Sequence, residues 1–336
     1  MNKILVTGGL GYIGSHVVVE LIEKGAQVVI IDDLSNSHES VLDGIEEITN
    51  KRPTWENVDI KDKEKLNSFF DKHDGFDGVI HFAASKSVNE SVNNPMLYYQ
   101  NNVVGLLNLA EACLKNKINN FIFSSSCTVY GEPNQLPINE SEPLKPATSP
   151  YGATKQMGEE ILKDIAKAEK LKTISLRYFN PVGAHPSGLI GELPLDTPQN
   201  LVPFVTQTAA GVLKKLTVFG DDYDTPDGSC IRDYIHVQDL ADAHIVALNY
   251  LDTSEELYEV FNIGTGQGSS VLELIHSFKE VTGVEVPYQI GARREGDLPN
   301  IYADPQKAIQ KLNWKTKLDM KQALADAWRW ETNLRK

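Results

Sequence analysis

The sequence predicts an α/β protein: a doubly wound parallel sheet of the Rossmann type, with a smaller C-terminal lobe. Three observations carry this. Short runs rich in Ile, Val and Phe alternate with helical patterns through the first half of the chain. The runs lack polar alternation, as strands do when helices cover both faces of a parallel sheet. A glycine-rich turn joins the first run directly to the first helical pattern, the arrangement that opens a dinucleotide-binding unit.

Along the chain, the first strand candidate is Ile4–Thr7, followed by a helix over Gly14–Lys24. Val28–Asp32 and Val79–Phe82 are the next apolar runs, and a long apolar pattern over Met96–Asn116 reads as a helix. Phe121–Ser124 comes next. A helix over Tyr151–Lys170 begins at Ser149, a good N-cap, with Pro150 in the first turn where its missing N–H is not needed. Ile174–Arg177 closes the series. Strand–helix–strand repetition at this spacing builds parallel crossovers. After about residue 180 the texture changes: residues 181–200 are rich in Pro and Gly, and residues 219–229 form an acidic loop. Such stretches suit a lobe of binding loops rather than a second regular sheet. A dinucleotide-binding domain is expected over 1–180 and a substrate-binding domain over 181–336, with later segments returning to the first sheet.

A chain of 336 residues, 41% hydrophobic and 23% charged, suits two lobes of an ordinary globular protein. The net charge of −14 repels nucleic acid and anionic membranes, and no Lys/Arg run offers a local exception. The same field opposes an anionic substrate, so placed arginines and helix N-termini must draw any phosphate in. Cys113, Cys127 and Cys230 form no CxxC pair, which argues against a disulfide framework or zinc site and for a reducing compartment. The N-terminal apolar run is far too short for a signal peptide, and no stretch nears the ~18 apolar residues of a membrane span. The expectation is a cytoplasmic protein that binds neither nucleic acid nor membrane.

Residues 7–16 read TGGLGYIGSH. Gly8, Gly11 and Gly14 permit a tight turn and let the backbone approach a pyrophosphate, while the helix N-terminus offers N–H groups and its positive dipole end. Asp32 ends the second strand candidate, with Asp33 beside it. A carboxylate there accepts hydrogen bonds from the adenosine ribose. A 2′-phosphate would meet two acids and no arginine, so NAD rather than NADP is expected.

Residues 149–155 read SPYGATK, placing Tyr151 and Lys155 four apart on one helix face. A free tyrosine, with a pKa of about 10, stays protonated at neutral pH and so cannot serve as a base. A neighbouring ammonium and a cationic nicotinamide both favour the phenolate. The fourth strand candidate runs into Ser124-Ser125-Ser126-Cys127-Thr128, at the strand end that faces the ligand crevice. A hydroxyl there can hold a sugar oxygen and relay its proton to the tyrosine.

With these residues in view, the sequence resembles the extended short-chain dehydrogenase/reductase family, and within it the sugar-nucleotide 4-epimerases. The resemblance runs from Lys3 to about Trp330. Its specific segments are TGGLGYIGSH, ESVNNP, FIFSSSCTVYG, SPYGATK, LRYFNPVGAHPSG, RDYIHVQDLADAH and ARREGDLP. It implies that Tyr151 is the base at the sugar 4-hydroxyl, that Lys155 binds the nicotinamide ribose and tunes Tyr151, and that Ser126 bonds the 4-oxygen. It implies NAD contacts from Gly8, Gly11, Tyr12, Ile13, Gly14, Asp32, Asn36, Asp59, Ile60, Phe82, Lys86, Asn101 and Tyr178. It assigns a UDP-sugar to Asn180, Asn200, Arg232, Arg294 and Asp297, the two arginines clamping the diphosphate. The implied reaction interconverts UDP-glucose and UDP-galactose through a 4-keto sugar, in a homodimer.

Relatives that dehydrate sugar nucleotides carry an Asp-Glu pair where this chain has Cys127-Thr128, which favours plain epimerisation. Cys127 reads as a small apolar residue. Ile301 stands where the family uses a bulky or a small residue to exclude or admit N-acetyl sugars, leaving that preference open. A non-catalytic NAD sensor of the same fold is the contrasting reading; such proteins usually lose the Tyr or the Lys.

Overall fold

The computed structural model describes residues 3–294 and 296–336. Met1 and Asn2, and Glu295 within ARREGDLP, lie outside the described residues. The chain divides into two compact units, each discontinuous in sequence. The first takes the chain up to Gly131, Pro143–Tyr178 and Ala241–Phe261; the second takes Glu132–Glu142, Phe179–Leu240 and the chain from Asn262 on.

The first unit is built on a seven-stranded sheet. Its strands are β1 (Lys3–Thr7), β2 (Gln27–Asp32), β3 (Thr54–Asn57), β4 (Gly78–His81), β5 (Asn120–Ser126), β6 (Lys172–Tyr178) and the strand Tyr258–Ile263. In space they run Tyr258–Ile263, β6, β5, β4, β1, β2, β3. The pairings from β6 through β3 are all parallel. Successive residues such as Leu5 and Val6, Ile30 and Ile31, and Val79 and Ile80 are all buried. Both faces are therefore covered, as apolar runs without alternation require. Strand order reverses between β1 and β4, and ligands of such sheets bind outside the carboxyl ends at this switch point.

β3 and Tyr258–Ile263 add to the five strands read from sequence. β3 reads TWEN; it is an edge strand, partly exposed, and carries no apolar run. The helix expected over Met96–Asn116 is instead Pro95–Tyr98, a wider π turn Tyr99–Val104 and Gly105–Lys115. In α geometry neighbouring side chains splay by about 100°. In the wider turn Asn101 and Asn102 both reach Ser85, through Asn101 Nδ2 to Ser85 Oγ at 3.1 Å and Ser85 N to Asn102 Oδ1 at 2.8 Å.

The second unit has only short pairings: Asn180–Val182 with Tyr234–His236, Leu216–Phe219 with Tyr288–Gly291, and Ile231–Arg232 between Ser269–Ser270 and Asn300–Ile301. Helices Leu201–Ala209, Val271–Thr282 and Met320–Leu334 pack around a core that includes Val205, Leu216, Leu274, Phe278 and Leu324. Val271–Thr282 starts with a capping box, Ser270 and Glu273, and ends at left-handed Gly283. Among the described residues no helix is long and apolar enough to cross a membrane.

Candidate active site

The glycine turn joins β1 to the helix Tyr12–Glu23. Gly8 has φ +68°, and a Cβ on it would lie 2.7 Å from Ala83 N, beyond the end of β4. A Cβ on Gly14 would lie 2.2 Å from Gly8 O; on Gly11 it would lie 3.2 Å from the same oxygen. Gly11 is the N-cap and supplies no side chain to the first turn, where Tyr12 and Ile13 sit half-buried. The backbone N–H groups of that turn lie at the positive end of the helix.

Asp32 ends β2, buried. Its Oδ2 accepts from Leu10 N at 3.0 Å, and its Oδ1 from Leu34 N at 3.0 Å and Ser37 Oγ at 2.7 Å. Burial raises its carboxyl above the usual range, Asp33 adds to the rise, and the hydrogen bonds oppose it. The same carboxylate thus ties the glycine turn to the end of β2. A cradle that a Cβ would fill and an acid at the end of β2 fit a dinucleotide. Of the other expected contacts, Asn36 and Lys86 are exposed, Ile60 is buried, and Asp59 Oδ1 accepts from Lys61 N at 2.8 Å. The Phe82 ring lies 4.7 Å from that of His244.

Tyr151, Lys155 and Ser126 come together in the first unit, each at least nine-tenths buried. Ser149 Oγ caps the helix Pro150–Glu169 by accepting from Gly152 N at 3.1 Å. Ser126, at the end of β5, hydrogen-bonds Tyr151. Lys155 Nζ donates to Ser124 O at 2.7 Å and lies 5.7 Å from the Tyr151 ring centroid. The Tyr178 hydroxyl bonds Ser124 Oγ. Burial pushes the Tyr151 phenol well above its ordinary value, opposed by the Ser126 hydrogen bond. Burial pushes Tyr178 up to about 12 and Lys155 down to about 8, with Glu159 opposing the fall in Lys155. In the protein alone, burial therefore opposes the phenolate that the ammonium and a cationic nicotinamide together are expected to favour.

In the second unit Asn180 and Asn200 line one cleft with Val182, Leu201 and Tyr234. Asn200 Nδ2 donates to Glu192 Oε1 at 2.6 Å. Arg232 and Arg294 meet at one carboxylate: Arg294 Nη2 lies 2.8 Å, and Arg232 Nη2 3.5 Å, from Asp297 Oδ1. The Arg294 guanidinium also lies 5.5 Å from the Phe219 ring centroid. Ile301 pairs in register with Arg232.

Sequence reasoning missed two buried groups. Asp233 accepts from Thr265 N at 2.9 Å and from Gly266 N and Ala303 N, both at 3.1 Å, and so ties two segments to its own strand end. Glu159 takes Arg177 and Ser125 beneath the helix Pro150–Glu169. The spacing of Glu159, four residues past Lys155, was its one sequence signal.

A family model described as GDP-mannose 4,6 dehydratase matches residues 5–327. The UDP-glucose 4-epimerase of Neisseria meningitidis serogroup B is 49% identical over 334 residues, which cover 99% of this chain and 98% of that protein. The structure of UDP-glucose 4-epimerase from Stenotrophomonas maltophila with bound NAD and formylated UDP-arabinopyranose superposes with a TM-score of 0.95 at 46% identity, covering 99% of this chain and 98% of that one. The enzyme from Bifidobacterium longum in complex with NAD+ and UDP gives 0.95 at 44% identity, covering 98% of each.

Proposed function

The chain belongs to the extended short-chain dehydrogenase/reductase family, and from that membership we infer that it is an NAD-dependent isomerase interconverting UDP-glucose and UDP-galactose. The observation that carries the reading is the buried group of Tyr151, Ser126 and Lys155 at the carboxyl end of β5, in a chain whose near relatives are epimerases. The absence of any acid at Cys127-Thr128 separates it from dehydration, where an acid must protonate the leaving hydroxyl. NAD, when bound, supplies a reversible hydride acceptor for C4. We assign the cofactor to the domain over 1–180 and the UDP-sugar to 181–336, with later segments returning to the first.

In this assignment Tyr151 takes the 4-hydroxyl proton as a phenolate and Ser126 holds the 4-oxygen. Lys155 binds the nicotinamide ribose and places positive charge beside the phenolate. Because burial opposes the phenolate, its formation calls for positive charge close by. Arg232 and Arg294, aligned by Asp297, take the diphosphate, and Asn180 and Asn200 the rest of the nucleotide. A firm grip on the UDP leaves the 4-keto sugar free to present its other face, and the proton returns from Tyr151 as C4 is inverted.

Two further assignments concern assembly and location. Met96, Val104, Leu107 and Met157, on the helical segments 95–115 and 150–169, expose at least 44% of their surface, which supports a homodimer formed through these helices. Sedimentation showing only a 37.3 kDa species would reject it. Three free cysteines support a cytoplasmic location.

The test incubates wild type and Tyr151→Phe with UDP-galactose and resolves the products. Wild type is expected to form UDP-glucose with no added NAD+, and the variant to lose at least about 10²-fold in rate, the usual contribution of a positioned acid–base group, while releasing the same NAD on denaturation. A protein that holds NAD but leaves the sugar unchanged is a sensor. Turnover of the N-acetylated UDP-sugars in parallel reads out the Ile301 position.

A further inference from the structure

We propose that Glu159, buried behind Lys155 on the same helix, is a positioning residue for the reaction: its carboxylate fixes the tip of β5 through Ser125 and is the counter-charge that keeps Lys155 an ammonium. The proposal rests on the roles given above to Tyr151, Ser126 and Lys155.

Glu159 is 2% exposed. Its Oε1 accepts from Ser125 Oγ at 2.5 Å and from Arg177 Nε at 2.9 Å, and Arg177 Nη2 bonds its Oε2. Arg177 comes from β6, is 5% exposed and lies 4.8 Å from the Tyr130 ring centroid. Stability is a poor reason for such a pair, since well-packed apolar residues often replace a buried ion pair without loss. Further along the same helix Leu162 and Ala166 are buried apolar residues, so the packing does not demand charge.

Its placement explains it better. Side chains alternate along a strand, so Ser124 and Ser126 face one side of β5 and Ser125 the other. Ser124 carries the acceptor for Lys155 Nζ and the partner of Tyr178; Ser126 carries the partner of Tyr151. Glu159 grips the residue between them from the opposite face. The groups facing Lys155 are His81 from β4, Tyr151 and Glu159 from its own helix, Phe123 and the Ser124 carbonyl from β5, and Tyr178 of β6 through Ser124. With His81 and the tyrosines neutral, Glu159 is the member of that set with negative charge, and it is what opposes the desolvation of Lys155.

The experiment compares wild type, Glu159→Gln and Glu159→Gln/Arg177→Met as NAD-loaded proteins. It reads kcat and KM for UDP-galactose, the melting temperature, and the titration midpoint of Lys155. The midpoint comes from NMR of ε-carbon-labelled lysine, the signal being assigned by its loss in Lys155→Met. Both variants are expected to lose about tenfold or more in kcat with KM within about twofold, and to lower the Lys155 midpoint by about half a pH unit or more. The single variant leaves Arg177 buried without its partner; if it does not fold, the double variant decides. A folded double variant with the wild-type kcat and midpoint overturns the proposal, and so does a lost kcat with an unmoved midpoint, which is what a merely structural role gives. A wild type that fails to turn over UDP-galactose, with the midpoint still lowered in the variants, faults the assigned reaction and not the counter-charge.

Discussion

Gly14→Ala is the sharpest test of the cofactor cradle. The added Cβ would stand 2.2 Å from Gly8 O and 2.9 Å from Gly9 Cα, both backbone atoms that cannot rotate aside. To reach the 3.2 Å that a Cβ on Gly11 would meet, the turn must move by about 1 Å. Gly8 resists that movement: its N–H donates to Ile31 O at 2.8 Å, and it sits against Ala83 with φ +68°. Overpacking against a rigid neighbour costs about 1–3 kcal/mol. With the upper part of that range expressed in the turn that meets the pyrophosphate, NAD affinity should fall about 30- to 100-fold. Gly11→Ala is the matched control. Gly11 has φ −71°, which alanine adopts freely, and its Cβ would meet only Gly8 O. It should keep the wild-type melting temperature, which the overpacked Gly14→Ala should not, and lose NAD affinity only through a Cβ standing where the pyrophosphate approaches. The assay is calorimetric titration of NAD into apo protein, with release of bound NAD on denaturation as a second reading. Wild-type affinity in Gly14→Ala, or equal melting temperatures in both variants, would refute the cradle.

Two further outcomes follow from the same geometry. His81 is buried and held down to about 3, by burial first and then by Lys155, against an ordinary 6.5, so the folded state keeps it neutral while the unfolded chain takes up a proton. Its contribution to stability is whole above pH 6.5 and drains as pH falls toward 3, at up to about 1.4 kcal/mol per pH unit; denaturant melts at several pH values should show a shallower acid slope in His81→Gln, and equal slopes would contradict this burial. Asp297→Asn should raise KM for UDP-galactose about tenfold with little change in kcat, because the carboxylate shared by Arg232 and Arg294 aligns them in ground and transition state alike; a loss confined to kcat would place Asp297 nearer the chemistry.

What the sequence made legible is what is local. β1, β2, β4, β5 and β6 stand out because strands buried on both faces must be apolar throughout. β3, an edge strand reading TWEN, carries no such demand, and its identity depends on pairing with β2, which no window of sequence contains. The break in the helix expected over Met96–Asn116 is also tertiary, since it serves hydrogen bonds to Ser85 in another segment. At the site, the shared face of Tyr151 and Lys155 follows from their spacing alone. The grip of Glu159 on Ser125 and Arg177 spans a helix and two strands, so its spacing from Lys155 marks the residue but not the partners it takes.

The directions of proton binding were the least legible feature, and they bear most on the chemistry. A phenol four residues from a lysine suggests an activated base. In the folded protein desolvation acts on both members at once, favouring neutral Tyr151 and driving Lys155 toward the amine. A dry site that disfavours every isolated charge responds strongly to the next charge placed in it, because the low dielectric that penalises one ion magnifies its attraction to another. Glu159 opposes that penalty for the lysine from behind, and the Ser126 hydrogen bond opposes it for the phenolate without overcoming it. The phenolate is therefore scarce until further positive charge joins Lys155 beside it, and the proton transfer is confined to the complex in which it is useful.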